Sequence, residues 1–263
     1  MSADLTAPGA AADVLAERRG AVAVLTLNRP EKMNALLNST VDRLRREIEA
    51  AGEEEGVRAV LLAGAGRGFC AGADLEAADP DARRVLRDHY APLIRAIHEL
   101  ELPVVAAVNG VAAGAGVSLA LAADLVIAAS DASFAFAFSR VGLIPDAGLT
   151  WMLPRLIGPA RAFELIALGE RIGAARALEL GLLNRVVEPD RLLAEATGLA
   201  ERLAAGPRAI GLGKRALRES LEQGLGAQLE LEAEIQAEAV ATEDFAEAIA
   251  AYREKREPSF VGR

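Results

Sequence analysis

Between Glu101 and Asp124 the chain carries 22 consecutive residues without a charge, LPVVAAVNGVAAGAGVSLALAA, residues 102–123. That length would suffice to cross a bilayer as one helix. Its composition argues against a span. Pro103, Asn109, Gly110, Gly114, Gly116 and Ser118 interrupt it, and its second half is mostly Ala and Gly. The run reads instead as a buried strand, a glycine-rich turn and a helix. A strand that apolar is covered on both faces, as in a parallel sheet flanked by helices.

The neighbouring segments repeat the pattern. Residues 21–27 (AVAVLTL) predict a strand closed by the turn Asn28-Arg29-Pro30. Ser39 opens a helix, with Asp42 three residues on as a variant of the capping box. Residues 57–63 predict a second strand, and 64–73 (GAGRGFCAGA) a turn too glycine-rich for regular structure. Residues 81–100 predict a charged helix, 104–108 a third strand, and 124–128 a fourth. From Pro145 onward the chain reads as helices. The last opens at Thr242 as N-cap, and Pro258 stops it. Strands alternating with helices imply right-handed crossovers and a mostly parallel core sheet. The expected division is an α/β core over 14–190 and a helical region over 191–263 that needs a partner subunit to bury its apolar stripes. Residues 1–13 are expected to fray.

Charge and composition exclude several functions. Lys and Arg total 29 against 38 Asp and Glu, a formal net charge of −9, which speaks against a nucleic-acid partner. One cysteine, Cys70, excludes an intrachain disulfide framework, and two histidines leave little for a zinc site. The N-terminus has no basic head followed by an apolar run, so a cytoplasmic location without a membrane anchor is expected. Alanine occurs 57 times against 10 aromatic residues, so backbones must approach closely to fill a core.

Chemistry is expected at the two glycine-rich turns. Each follows an apolar strand, and there backbone N–H groups can converge on one site. Two such turns can aim one N–H each at a single oxygen, an oxyanion hole. A dinucleotide fingerprint fits poorly, because Gly114-Ala115-Gly116 lacks the third glycine. Cys70 has no histidine base in view and reads as a small buried hydrophobe. His89 and His98 read as surface or packing residues, and Asp124 as a local cap or ion-pair partner.

Four ordered segments carry a resemblance: RPEKMNAL (29–36), GRGFCAGADL (66–75), PVVAAVNGVAAGAGVSLALAADLVIA (103–128) and GLIPDAG (142–148). Together they resemble the crotonase family, the enoyl-CoA hydratase/isomerase superfamily, from about residue 20 to the C-terminus, where EKREPSF (254–260) also fits. The resemblance implies an α/β spiral core of repeated ββα units with a helical C-terminal trimerisation region. It implies an acyl-CoA thioester as substrate, a homotrimer or dimer of trimers, and no metal or redox cofactor. It assigns the oxyanion donors to the N–H groups of Ala73 and Ala115. It assigns the CoA grip to Glu31, Lys32, Met33 and Ala35, and to Ala71, Asp74 and Leu75. Lys255 and Phe260 are implied near the nucleotide.

The departures from the family pattern bear on the reaction. Hydratases of this family place two glutamates where this chain has Ser118 and Phe138. Water addition needs a proton donor and a water-activating base together. One carboxylate remains at the turn used by isomerase members, Asp146. Its neighbours Ile144, Pro145 and Ala147 would desolvate it and raise its pKa; the competing reading makes it a helix cap near Gly148. Residues 136–156 are most similar to 1,2-epoxyphenylacetyl-CoA isomerase-type members. Phe134, Phe136, Phe138 and Trp151 are candidates for the acyl pocket, with core filling as the other reading for Phe134 and Phe136. Ser118 is expected to bond a ligand or a backbone carbonyl. The expected activity is double-bond shift, or rearrangement of a ring epoxide, in an unsaturated or aromatic CoA thioester. The alternatives are a hydratase with a displaced acid, a non-catalytic acyl-CoA binder, and an RNA binder using a local Arg patch.

Overall fold

A computed structural model describes residues 12–77 and 79–263. The chain opens with a hairpin, β1 (Val14–Arg19) and β2 (Val22–Leu27), followed by α1 (Asn38–Glu53). Three strand–strand–helix units come next. The first is β3 (Ala59–Gly64), β4 (Gly68–Cys70), then α2 (Ala82–Val85), a π-helical turn (Leu86–Tyr90) and α3 (Ala91–Glu99). The second is β5 (Val104–Val108), β6 (Val111–Ala113) and α4 (Ala115–Leu121). The third is β7 (Leu125–Ala129), β8 (Ser133–Ala135), a 3-10 turn (Ala137–Val141) and α5 (Leu149–Ile157).

In every unit the first strand enters one sheet and the second strand enters another. The larger sheet has the order β1-β2-β3-β5-β7-β10 and the smaller β4-β6-β8-β9. After α6 (Pro159–Ala167) come β9 (Arg171–Gly173), α7 (Ala174–Glu179) and β10 (Arg185–Val187), then α8 (Leu192–Ala204), α9 (Ala209–Glu219), α10 (Leu225–Val240) and α11 (Glu243–Glu254). In the larger sheet β1 runs antiparallel to β2 and every other pair is parallel. The expected α/β spiral is the fold found, and the 22-residue run becomes β5, β6 and α4. No helix among the described residues is long and apolar enough to cross a membrane.

The strands sit where apolar runs predicted them because β2, β3, β5 and β7 are buried nearly throughout. Several expectations change. Residues 64–73 contain β4, since partners in β6 satisfy its backbone despite the glycines. A second strand, β6, separates Asn109-Gly110 from α4. Residues 81–99 form a helix interrupted by the π-helical turn, with Asp81 capping it through Arg84 N–H. Two strands, β9 and β10, lie in the part read as all helix. Ser39 and Asp42 form no capping box: α1 starts one residue earlier without a side-chain cap, and Asp42 instead meets His89 Nδ1 at 2.8 Å. Thr242 does cap α11, accepting from Phe245 N–H, but Lys255 in the left-handed region ends that helix before Pro258. The boundary expected at 190/191 falls inside the packed core. Leu192, Ala196, Leu199, Ala200 and Ala204 of α8 are buried in the same apolar cluster as β3 and β5. The buried residues of α9 to α11 lie outside that cluster, and Leu225, Leu229, Val240 and Tyr252 are exposed. Of the N-terminal stretch expected to fray, residues 1–11 lie outside the described residues, as does the leader-free reading. Asp13 is held: its carbonyl accepts from Asn28 N–H and its carboxylate from Thr40.

Candidate active site

The two glycine turns meet at the C-terminal ends of the parallel strands. Leu36 forms a parallel bridge with Ala73. In that bridge Leu36 N–H donates to the Gly72 carbonyl at 2.8 Å, and Asp74 N–H donates to the Leu36 carbonyl at 2.9 Å. The bridge therefore consumes groups of Gly72 and Asp74, and the N–H of Ala73 points away from Leu36. Ala115 is the first residue of α4, where a helical N–H has no intrahelical acceptor. Gly114 before it holds φ +51° and donates to the Ala135 carbonyl.

The glycines let the two turns touch. Gly72 has φ +91°, and a Cβ there would lie 2.7 Å from the Ala113 carbonyl oxygen and 3.3 Å from Ala115 N. A Cβ on Gly116 would lie 2.2 Å from the Cys70 carbonyl oxygen. The N–H groups of Ala73 and Ala115 are thus carried by adjacent backbones, one from each sheet–turn unit. Cys70 lies fully buried beneath them, and burial pushes its thiol up to about 12. Such a thiol is neutral and unreactive.

Asp146 sits on a third turn. Ala147 and Gly148 both occupy the left-handed region, at φ +47° and +80°. For alanine that conformation costs about 1 kcal/mol or more, and such strain persists only where surrounding structure fixes it. The fixing contacts converge on the Asp146 carbonyl, which accepts from Leu149 N–H at 3.0 Å and from the Ser118 hydroxyl at 3.0 Å. The backbone of Asp146 is pinned while its carboxylate Oδ1 is buried and has no partner. Burial raises this carboxyl to about 6. The helix-cap reading fails, because Gly148 is the N-cap of α5 and no side chain caps it.

The Ser118 hydroxyl, fully buried, spends its proton on Asp146 and so holds the base turn rather than a ligand. Phe138 is buried in the 3-10 turn, and its ring tip lies 4.0 Å from where a Gly114 Cβ would be. Phe134 and Phe136 are fully buried core residues. Trp151 is sandwiched between His98, edge-to-face at 5.4 Å, and the Arg155 guanidinium at 4.1 Å, on α5.

The first turn and the 66–75 turn are stapled together. Asn34, buried with φ +57°, accepts from Arg29 N–H and donates to the carbonyls of Ala65 and Gly68. Arg29 donates to the Ala35 carbonyl and pairs with Asp74 at 3.0 Å, both side chains being largely buried. That hydrogen bond holds the Asp74 carboxyl below the usual carboxylate range. Asp74 thereby ties the 66–75 turn to Arg29 of the first turn. Met33 accepts from Arg67 Nε, and its carbonyl accepts from Ala71 N–H at 2.9 Å. Lys32 is exposed and pairs with Glu76 at 2.7 Å; Glu31 and Leu75 are exposed beside it.

Lys255 and Phe260 are elsewhere. The Phe260 carbonyl accepts from Arg58, which precedes β3, whereas Lys32 and Arg67 lie beyond the other ends of β2 and β3. Six residues of strand put about 20 Å between them. Within one chain these two residues do not join the turns, because the tail is anchored at the N-terminal ends of the strands. Asn34 is the residue that sequence reasoning missed here. The available signal was an asparagine in the turn between β2 and α1, a residue type that tolerates the left-handed backbone and bonds neighbouring backbone groups.

Over residues 17–263 the chain matches the family described as enoyl-CoA hydratase/isomerase. It is 46% identical over 246 residues to a protein of Rhodobacter capsulatus named as a probable enoyl-CoA hydratase, covering 92% of this chain and 95% of that one. It is 42% identical to the 1,2-epoxyphenylacetyl-CoA isomerase of Escherichia coli, covering 95% and 98%. A solved enoyl-CoA hydratase from Bacillus anthracis superposes with a TM-score of 0.91 at 34% identity, covering 96% of this chain and all of the other. With its interlocked ββα units and a family match across nearly its whole length, the chain belongs to the enoyl-CoA hydratase/isomerase family and has the crotonase fold.

Proposed function

We propose that this enzyme is an acyl-CoA isomerase that moves a double bond along an unsaturated thioester, with Asp146 shuttling the proton. The observation that carries the reading is the Asp146 carboxyl: its Oδ1 is buried without a partner, burial raises it to about 6, and Ser118 holds the backbone carbonyl of the same residue. A base near that value is ionised at neutral pH yet holds a proton long enough to return it.

In a 3-enoyl thioester the Asp146 carboxylate removes a proton from carbon 2. The electron pair moves into the thioester carbonyl, whose oxygen receives the Ala73 and Ala115 N–H groups as negative charge develops. The protonated Asp146 then delivers the same proton to carbon 4, and the double bond comes to rest between carbons 2 and 3. One acid suffices, and no metal or redox step is required. Ser118 and Phe138 supply no second carboxylate to hold and split a water. The same pair of donors and single base also suit rearrangement of a ring epoxide, the reaction named for the Escherichia coli relative. The names of several relatives favour hydration as a second reading.

The test uses 3-enoyl-CoA in heavy water with mass spectrometry. Conversion to the 2-enoyl product without mass gain from added water, lost by about 10³-fold in Asp146→Asn, supports isomerisation. Water addition to crotonyl-CoA at a rate exceeding the shift, or full isomerisation by Asp146→Asn, overturns it. Lys255 and Phe260 reach a nucleotide only on a second copy, so the reading includes a trimer closed by the exposed apolar residues of α10 and α11. A monomer by light scattering at micromolar concentration would refute that part.

A further inference from the structure

One face of α4 carries three stations in order. Ala115 begins the helix and offers the second oxyanion N–H of the reading above. Ser118 holds the Asp146 carbonyl at 3.0 Å. Ala122 follows the last turn, still in helical conformation. Their spacing, i, i+3 and i+7, places them on a single stripe. At 1.5 Å per residue, Ser118 lies about 4–5 Å and Ala122 about 10 Å beyond Ala115 along the axis. Ala122 lines a cavity of about 450 Å³. On that reading the thioester carbonyl, the base turn and the cavity follow one another along one side of α4.

The cavity is built against the base turn. Gly148 lies in its wall, and two trans peptides put that residue within about 8 Å of the Asp146 Cα. A Cβ on Gly148 would lie 3.3 Å from Ile94 Cγ2 of α3 and 3.5 Å from Met152 Cε of α5, so both side chains close on the turn. Ile94, Met152, Ala122 and Trp151 complete the apolar wall. The Trp151 ring is fixed between His98 and the Arg155 guanidinium. The polar lining is balanced: Arg95 and Glu222, both exposed, carry opposite charges. Burial, with Arg218 and Lys214 nearby, holds the His98 imidazole below its usual range, so the remaining polar group is neutral at neutral pH. A mostly apolar cavity of this size with a few polar groups has the character of a ligand pocket.

We propose that this cavity seats the distal end of the acyl group and selects uncharged, apolar ends over short acyl groups and over those that finish in a carboxylate. The inference rests on the Asp146 site proposed above and narrows its substrate class. A short acyl group ends near Ser118 and leaves the cavity to water. A longer one packs its end against Trp151, Met152 and Ile94, and gains with every methylene removed from water. A terminal carboxylate would be desolvated there with no net positive charge to meet it.

The experiment measures binding of saturated thioesters, which have no double bond to move. Dissociation constants of butanoyl-, octanoyl- and adipyl-CoA are compared by calorimetry for the wild type, Ala122→Leu, Trp151→Ala and Asp146→Asn. Octanoyl-CoA is expected to bind the wild type about tenfold tighter than butanoyl-CoA, or more, with adipyl-CoA no tighter than butanoyl-CoA. Ala122→Leu fills the cavity and Trp151→Ala strips its wall, so the chain-length gap should shrink severalfold in each and persist in Asp146→Asn. Trp151 is only half-buried, and its variant decides the matter if Ala122→Leu does not fold. No gap in the wild type, a gap unchanged in either folded cavity variant, or tighter binding of adipyl-CoA than octanoyl-CoA overturns the proposal. A gap that stands while Asp146→Asn still isomerises refutes the proton shuttle alone. Loss of isomerisation in Asp146→Asn without any gap refutes the cavity assignment alone.

Discussion

The two ends of the parallel sheet treat their polar groups in opposite ways. At the C-terminal ends of the strands, the Ala73 N–H, the Ala115 N–H and Asp146 Oδ1 are left without partners in backbone that is otherwise closely fixed. At the N-terminal ends, the buried Asp244 carboxylate accepts from the N–H groups of Arg208, Val261 and Gly262, and Arg58 donates to the carbonyls of Phe260 and Gly206. Both regions bury charge. One satisfies it to lock the chain terminus; the other withholds partners and holds the base by its carbonyl instead. A carboxylate is therefore informative about function through what it lacks.

If that contrast is right, Asp244→Ala should be the most damaging to stability. It orphans three backbone N–H groups and should cost about 3 kcal/mol in chemical denaturation, while kcat of the folded fraction is retained. Asp146→Asn should do the reverse. The folded carboxyl titrates near 6 and the unfolded one near the ordinary 3.8. A raised carboxyl favours the fold when protonated, so its contribution is full below the unfolded value and is lost as pH rises through about 6. At pH 7 the ionised form costs at most about 3 kcal/mol, and the Asn variant should melt higher than wild type at pH 7 but not at pH 4. An Asn variant that melts lower at pH 7 would break the comparison.

The same titration sets activity. Because the base must be ionised, kcat/KM should fall about tenfold per pH unit below about 6, and a profile flat to pH 4.5 would remove Asp146 from the reaction. The smallest effect is expected at Ser118→Ala. Loss of one hydrogen bond to the Asp146 carbonyl is worth about 1 kcal/mol, read as roughly a fivefold fall in kcat with KM little changed. A change confined to KM would make Ser118 a ligand contact after all.

Local sequence carried the strands and the principal helices because apolar periodicity and turn residues are short-range signals. It was weaker where partners supply the stability. The glycines of β4 hid a strand that exists through pairing with β6, and β9 and β10 were lost in a region of helical composition for the same reason. The apolar stripes from residue 191 onward are expected to need a partner subunit, yet the alanines and leucines of α8 are covered by this chain's own sheet.

By itself the sequence determined the crossover order of the strands, the close approach of two glycine turns and the position of a single acid on a third. Those features come from residue types that allow or forbid local backbone geometry. Tertiary structure decided which groups remain unpaired. The Ala73 N–H is free because Leu36, far back in the chain, bonds its neighbours instead. Asp146 is raised by burial in a turn whose backbone Ser118 of α4 holds. Phe260 is excluded from the same chain's site because Asp244 and Arg58 tie the terminus to the opposite end of the sheet. Pairing and desolvation depend on contacts between distant segments, and no local pattern encodes them.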